Sequence, residues 1–431
     1  MLMQRDASAG DHSWYRTTVR VALEPATPLA GETRADVCVV GAGITGCAAA
    51  LELAGRGYRV KLLDAHTVGW GASGRAGGHV MPGLGTGMDV VERGLGRDDA
   101  RRIFEMTREA MGFIEDQVRA HDIPCDLQWG YVHAALRRRH LRQYRELQRQ
   151  MATNYGYDGL QWLDRAALQE RVCSERYLGG LYEPGAGSIH PLNYTLGLAR
   201  AAQERGVELH ERSAVTGIDK GTPAVVRTAG GSVRADFVVL ACNAYLDGLE
   251  PELDRRIMPV SNYVVATEPL SAGQVARTLP RRDAVSDANF VLDYYHLSSD
   301  DRLLYGGEVS YDGREPRNLR QRLERKLVRL FPVLRDVRIE YMWGGRVGIT
   351  LNRFPHFGRI GGNLWFAQGY SGQGLAMAGM AGKLLAEAIG GQAERFDVFA
   401  RMRHREFPGG PRMRTPLLVL ATGFYRLRDL V

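Results

Sequence analysis

The sequence predicts an α/β fold built around a parallel sheet, and three local patterns predict it. A short β-branched run, residues 35–40 (ADVCVV), passes through Gly41-Ala42-Gly43-Ile44-Thr45-Gly46 into the helix-prone segment CAAALELAGRG. A second strand, residues 58–63, ends at Asp64. Near the C-terminus a third, residues 363–367 (NLWFA), leads into Gly369-Tyr370-Ser371-Gly372-Gln373-Gly374 and an Ala/Gly-rich helix that runs to Ile389. Strand, tight turn and helix in this order are the units from which parallel sheets are assembled.

The first turn is G-x-G-x-x-G between a strand and a helix, the context in which the motif binds a dinucleotide. Gly41 permits the turn, Gly43 lets the backbone approach a pyrophosphate, and Gly46 lets helix and strand pack closely. Unpaired N–H groups and the positive helix end then face the phosphates. Asp64 falls 23 residues after Gly41, where a carboxylate accepts hydrogen bonds from an adenosine ribose and repels a 2′-phosphate. NAD and FAD both satisfy these features. Residues 69–79 (GWGASGRAGGH) decide between them, with five glycines in eleven residues. That stretch suits backbone lying along a large planar ligand, whereas NAD-binding folds move on to another helix here. Residues 206–218 read as a strand pair and residues 235–242 (ADFVVLAC) as another buried strand. The second glycine-rich loop again opens a helix, a setting for partial negative charge such as that of a reduced flavin's N1–C2=O region. Gly390-Gly391 stops that helix, whose small residues imply close packing inside the protein.

Length sets the scale at two or three domains for 431 residues, and 45% hydrophobic with 24% charged residues is a globular composition. The five cysteines are odd in number and never form C-x-x-C, which argues for a reducing compartment and against a disulfide framework or a metal site. The polar N-terminus lacks a secretion signal, and no uncharged apolar stretch is long enough for a bilayer. A cytoplasmic protein is expected. Only four of the 56 basic residues are lysine, namely Lys61, Lys220, Lys326 and Lys383. The run Arg137-Arg138-Arg139-His140 precedes Leu141, Tyr144, Leu147 and Met151 at helical spacing, so it reads as the wet face of an amphipathic helix and not as a nucleic-acid patch.

Together these segments resemble the D-amino-acid-oxidase-like (DAO) family of FAD-dependent oxidoreductases, and within it the gamma-glutamylputrescine oxidase branch. The resemblance is carried by Ser13-Trp14-Tyr15, the G-x-G-x-x-G unit, VGWGASGRAGGH and GGLYEPGAGSIHPLNY. PVSNYVVATEPL, residues 343–361 and FAQGYSGQGLAMAGMAGKLLAEAI extend it over nearly the whole chain. It implies FAD contacts at Gly41, Gly43, Ile44, Thr45, Gly46, Asp64, Ala65, Ala72 and Ser73, and at Arg75, Ala76, Gly77 and Gly78. It adds Val215 at the adenine edge, Ala241, and the loop of Gly369, Tyr370, Ser371, Gly372, Gly374 and Leu375. It also implies the full fold class: a Rossmann-like FAD-binding domain (1–87, 179–254 and 341–431) interleaved with an α+β substrate domain (88–178 and 255–340) whose antiparallel sheet covers the flavin. Residues 126–136, 261–267, 289–295 and 303–311 read as its strands, and helix 98–121 places Ile103, Met111, Ile114 and Val118 on one face.

Three positions depart from the branch: Ala76 replaces its usual asparagine or serine, His79 its glutamine, and His296 its arginine. The implied activity is oxidation of a small amine or amino acid, with hydride passing from the α-carbon to flavin N5, imine hydrolysis, and reoxidation by O₂ to H₂O₂. Such chemistry asks the protein to position the carbon, favour the neutral amine and stabilise the reduced cofactor. Candidate catalytic residues are His79, His296, Arg346, Tyr294 and Tyr370. His79 is also a candidate for covalent attachment. Residues 343–361 contain no cysteine where sarcosine-oxidase-like members attach theirs, so non-covalent FAD is expected. Arg346 suits a substrate carboxylate. Tyr294 and Tyr295 must point to opposite faces of a strand, and Trp343 is expected in the core. Some relatives use a lysine to promote reaction with oxygen. None of the four lysines looks aimed at N5, which leaves a histidine cation or an arginine for that role. A dehydrogenase feeding a quinone or protein carrier and a non-catalytic flavin-binding subunit are the alternatives. The apolar segment 416–431 is expected to pack on its own domain.

Overall fold

The computed structural model describes residues 12–289, 291–310 and 315–408. Side chains along the first strand, Gly31–Val40, alternate between two cores: Val37 and Val39 enter one, Cys38 and Val40 the other. A strand buried on both faces belongs inside a parallel sheet. The order is His356–Ile360, Leu364–Gln368, Gly231–Leu240, Gly31–Val40, Val60–Leu63 and Glu208–His210. These pairings are parallel except for the edge hairpin of the first two strands. Val215–Asp219 and Ala224–Thr228 add an antiparallel ribbon against Gly231–Leu240. On one face lie helices Ile44–Gly55, Pro191–Glu204 and Gly374–Ile389, packed on one another through small and aliphatic residues. Helix Arg97–Ala120 buries Ile103, Met111 and Ile114, as its spacing predicts, with Val118 half-buried beside them. It packs against Gly374–Ile389, and so against the parallel-sheet layer.

The second sheet runs Ile339–Ile349, Met258–Thr267, Leu303–Ser310, Tyr294–Leu297, Ala284–Asp287, Gln128–Ala135, Gly179–Ser188 and His79–Val80, with Gln161–Leu163 also on Gly179–Ser188. It is antiparallel apart from the parallel pairing of Ala284–Asp287 with Gln128–Ala135. Three features differ from the sequence reading. The strand expected at 289–295 begins only at Tyr294, and Asp287 Oδ1 accepts the Asn289 and Asp293 N–H groups (both 3.1 Å) in place of a strand pairing at those two positions. Gly179–Ser188 and Ile339–Ile349 belong to this sheet, although sequence grouped 179–254 and 341–431 with the nucleotide-binding unit. In helix Arg138–Tyr155, Met151 is buried, but Leu147 is 41% exposed, so the apolar stripe is interrupted there.

Alternation gives the second sheet two different faces. Val132, Val265, Val285, Tyr295 and Tyr305 pack with Leu319, Leu323, Leu327 and Leu330 of helix Leu319–Leu330. Tyr131, His133, Asn262 and Tyr294 face the other way and line a cavity shared with the parallel-sheet unit. Among the described residues no helix is long and apolar enough to cross a membrane, and segment 416–431 lies outside them.

Candidate active site

One end of the cavity is a cradle of backbone. Gly41 has φ +103°, and a Cβ there would lie 2.9 Å from the Ala241 carbonyl oxygen. A Cβ on Gly43 would lie 2.8 Å from Ser73 Oγ, which itself accepts the Ile44 N–H at 3.0 Å. No side chain fits between these groups, so the space stays open over a helix N-terminus. The Asp64 carboxylate accepts Ala42 N–H at 2.7 Å and His66 N–H at 2.8 Å. Burial outweighs those bonds and pushes its pKa up to about 6. Thr45 Oγ1 and Tyr370 Oη share a hydrogen bond of 2.7 Å that ties the first glycine loop to the second. Tyr370, a catalytic candidate from sequence, thus also clamps the two helix N-termini.

The cavity, about 900 Å³, is continuous from this cradle to His79. It is bordered by Gly41, Gly43, Ile44, Thr45, Asp64, Ala65, Ala72, Ser73, Arg75, Ala76 and Gly77, with Val215, Ala241, Tyr370, Ser371, Gly372, Gly374 and Leu375. Gly46, Gly78 and Gly369 stand behind that lining. The narrow cradle, the buried acid beside it and the paired helix ends fit FAD. Its pyrophosphate would lie on Gly41–Ile44 and its ribose on Asp64.

The other end is a wall of rings. His79 Nδ1 is 3.0 Å from Tyr131 Oη, and its ring meets those of Tyr294 and His296 edge-on at 5.3 Å. Burial, reinforced by His296 and His133, holds His79 well below the usual histidine range. Burial likewise lowers His296 to about 4. Both rings are therefore neutral near pH 7, so neither His79 nor His296 is the histidine cation that the sequence reading allowed. His296 does not border the cavity: a Cβ on Gly78 would lie 2.9 Å from its Cε1, so it sits behind Gly78 and His79. Tyr294 borders the cavity and donates to Asn262 Oδ1 at 3.3 Å, while Tyr295 turns to the opposite core and donates to Tyr177 Oη at 3.0 Å. Arg346, 4% exposed, borders the cavity beside Tyr245, whose Oη accepts its backbone N–H at 3.2 Å. Arg75 stacks over Trp70 at 4.3 Å, and its carbonyl accepts Trp343 Nε1–H at 3.1 Å. Trp343 is core, as expected. No lysine borders the cavity among the described residues; all four form ion pairs elsewhere.

Sequence reasoning passed over Tyr131, His133, Gln143, Tyr144, Asn262 and Ser286, all on the cavity wall. The period-two rule applied to Gln128–Ala135 finds Tyr131 and His133 together on one face.

Comparison with known proteins fits this geometry. The DAO family model, described as FAD dependent oxidoreductase, matches residues 36–388. The chain is 43% identical over 395 residues to gamma-glutamylputrescine oxidoreductase of Escherichia coli (strain K12), covering 91% of this chain and 92% of that one. The crystal structure of L-proline dehydrogenase from P. horikoshii has a similar fold, with a TM-score of 0.69 at 21% identity, covering 84% of this chain and 94% of that one. Glycine oxidase from Geobacillus kaustophilus gives 0.68 at 22%, covering 84% and 95%. The chain belongs to the DAO family of FAD-dependent oxidoreductases.

Proposed function

We propose that the protein oxidises an aliphatic amine that also bears a carboxylate, with non-covalent FAD as cofactor and O₂ as final acceptor, releasing H₂O₂. The observation that carries this reading is the uncharged ring wall of His79, Tyr131 and Tyr294 in the same cavity as the FAD cradle. When bound, FAD supplies the acceptor for hydride from the carbon next to nitrogen. The chain's own residues prepare the amine. The desolvation that keeps His79 neutral acts in the same sense on an ammonium, so the wall favours the unprotonated amine, the form that gives up hydride. Tyr131 holds the His79 ring through Nδ1, and His296 supports it from behind. Arg346 is the cation for the substrate carboxylate. The name of the Escherichia coli relative, an amine carrying a γ-glutamyl group, supports that pairing of functions. Five free thiols suit a reducing, cytoplasmic setting.

Oxygen as acceptor rests on Arg75 and Arg346, two of the three arginines that border the cavity. That no lysine borders the cavity among the described residues, and that His79 is neutral, favours a second reading, a dehydrogenase that passes electrons to a quinone or protein. The visible spectrum separates them. The holoprotein is mixed anaerobically with gamma-glutamylputrescine, sarcosine, glycine, pipecolate and both proline enantiomers, then opened to air. Bleaching by one compound, followed by rapid recovery with peroxide, is expected. Bleaching that persists in air and recovers with a quinone would establish the dehydrogenase. A flavin unmoved by every amine would sink both.

A further inference from the structure

Two residues beyond Tyr131, and so about 6.8 Å farther along the same strand face, stands a second histidine in a different setting. His133 Nε2 lies 2.9 Å from Glu183 Oε2, and Glu183 Oε1 accepts the Tyr157 hydroxyl at 2.5 Å. The Glu183 side chain is 5% exposed and that of His133 is 21% exposed. A carboxylate oxygen accepts, so the tautomer that bonds Glu183 carries its proton on Nε2 and has its lone pair on Nδ1. His133 borders the cavity together with Gln143 and Tyr144 from helix Arg138–Tyr155.

We propose that His133, backed by Glu183, is a specificity-determining residue that accepts a hydrogen bond from a second ammonium at the far end of the substrate. The assignment rests on the amine-oxidation reading for which end of the substrate reacts. A buried carboxylate needs positive charge close by. The dyad offers it through one imidazole, so a bound ammonium completes an ion pair relayed by Nε2–H and Nδ1. His79, bonded to the Tyr131 hydroxyl among buried rings, makes an inner wall that favours a neutral nitrogen. A molecule with two amino groups is therefore seated in one direction, with the neutral nitrogen inward and the charged one on His133.

The test uses the holoprotein, with diaminobutane, diaminopentane and diaminohexane set against the monoamines of equal chain length. Affinity is read anaerobically from the perturbation or bleaching of the flavin spectrum. The wild type is expected to bind at least one diamine about tenfold tighter than its matched monoamine. His133→Leu is expected to abolish that preference. Glu183→Gln keeps the size and a hydrogen-bonding group while removing the charge, and is expected to weaken the preference by several-fold. FAD content and melting temperature identify a variant that has merely misfolded. A wild type without the preference, or a preference intact in both variants, would overturn the assignment. Failure of the amine-oxidation reading looks different: diamines would perturb the spectrum, yet no amine would bleach it.

Discussion

His79 and His133 flank Tyr131 on one wall of one cavity, yet their surroundings are opposite. His79 is buried among rings, with no carboxylate bonded to it, and stays uncharged. His133 leans on Glu183, a buried acid that also takes the Tyr157 hydroxyl. On the proposed reading, the same side chain serves a reacting end that excludes charge and a recognition end that admits it. What distinguishes them is the neighbour, and the neighbour comes from a distant strand, Gly179–Ser188.

The largest expected effect comes from making the two ends alike. His79→Asp puts a carboxylate against the reacting nitrogen and stabilises its ammonium. Anaerobic flavin bleaching in a stopped-flow experiment should slow by about 100-fold near neutral pH and recover as pH rises. An unchanged rate would mean that charge at this wall does not matter. Next, Glu183→Leu strands the Tyr157 hydroxyl and His133 Nε2–H in a buried place. It should cost about 1–3 kcal/mol of stability, seen as a lower urea midpoint with unchanged slope.

Asp64 extends the comparison to a buried acid without an imidazole partner. Its pKa is raised by burial from 3.8 to about 6. For the apoprotein, the stability this group contributes is fully present below 3.8 and is lost as pH rises through about 6. FAD binding runs the other way, because ribose hydroxyls donate to the ionised form. Affinity should fall as pH drops through about 6, by up to roughly tenfold per unit, and flavin fluorescence on release measures it. The smallest change is Tyr131→Phe, which removes the bond to His79 Nδ1. It should cost about 0.5–1.5 kcal/mol in the bleaching barrier and leave diamine preference intact.

The glycine-rich end of the cavity was legible because its signals are local. Residues 41–46, Asp64 and the glycine loops each state their conformational needs within a few positions, and the structure gathers them around one cradle. Tyr294 and Tyr295 parted as alternation requires. The outer end was not legible, because its meaning lies in pairing. His133 is one residue of an ordinary strand until Gly179–Ser188 brings Glu183 against it, 50 positions away. That second strand hides as well, since its glycines and proline read as loop. His296 shows the opposite limit. Its place after Tyr294 puts it on the cavity face, but only three-dimensional packing shows His79 and Gly78 standing in front of it.

The hydrogen bond between Thr45 and Tyr370 joins positions 325 residues apart. A chain emerging from the ribosome exposes its first glycine loop early, yet Tyr370, which ties that loop to the second, follows only 325 residues later. If FAD lies in the proposed cradle, its tight capture waits for the second loop, and a truncation before Gly369 is expected to purify colourless, which the visible spectrum checks.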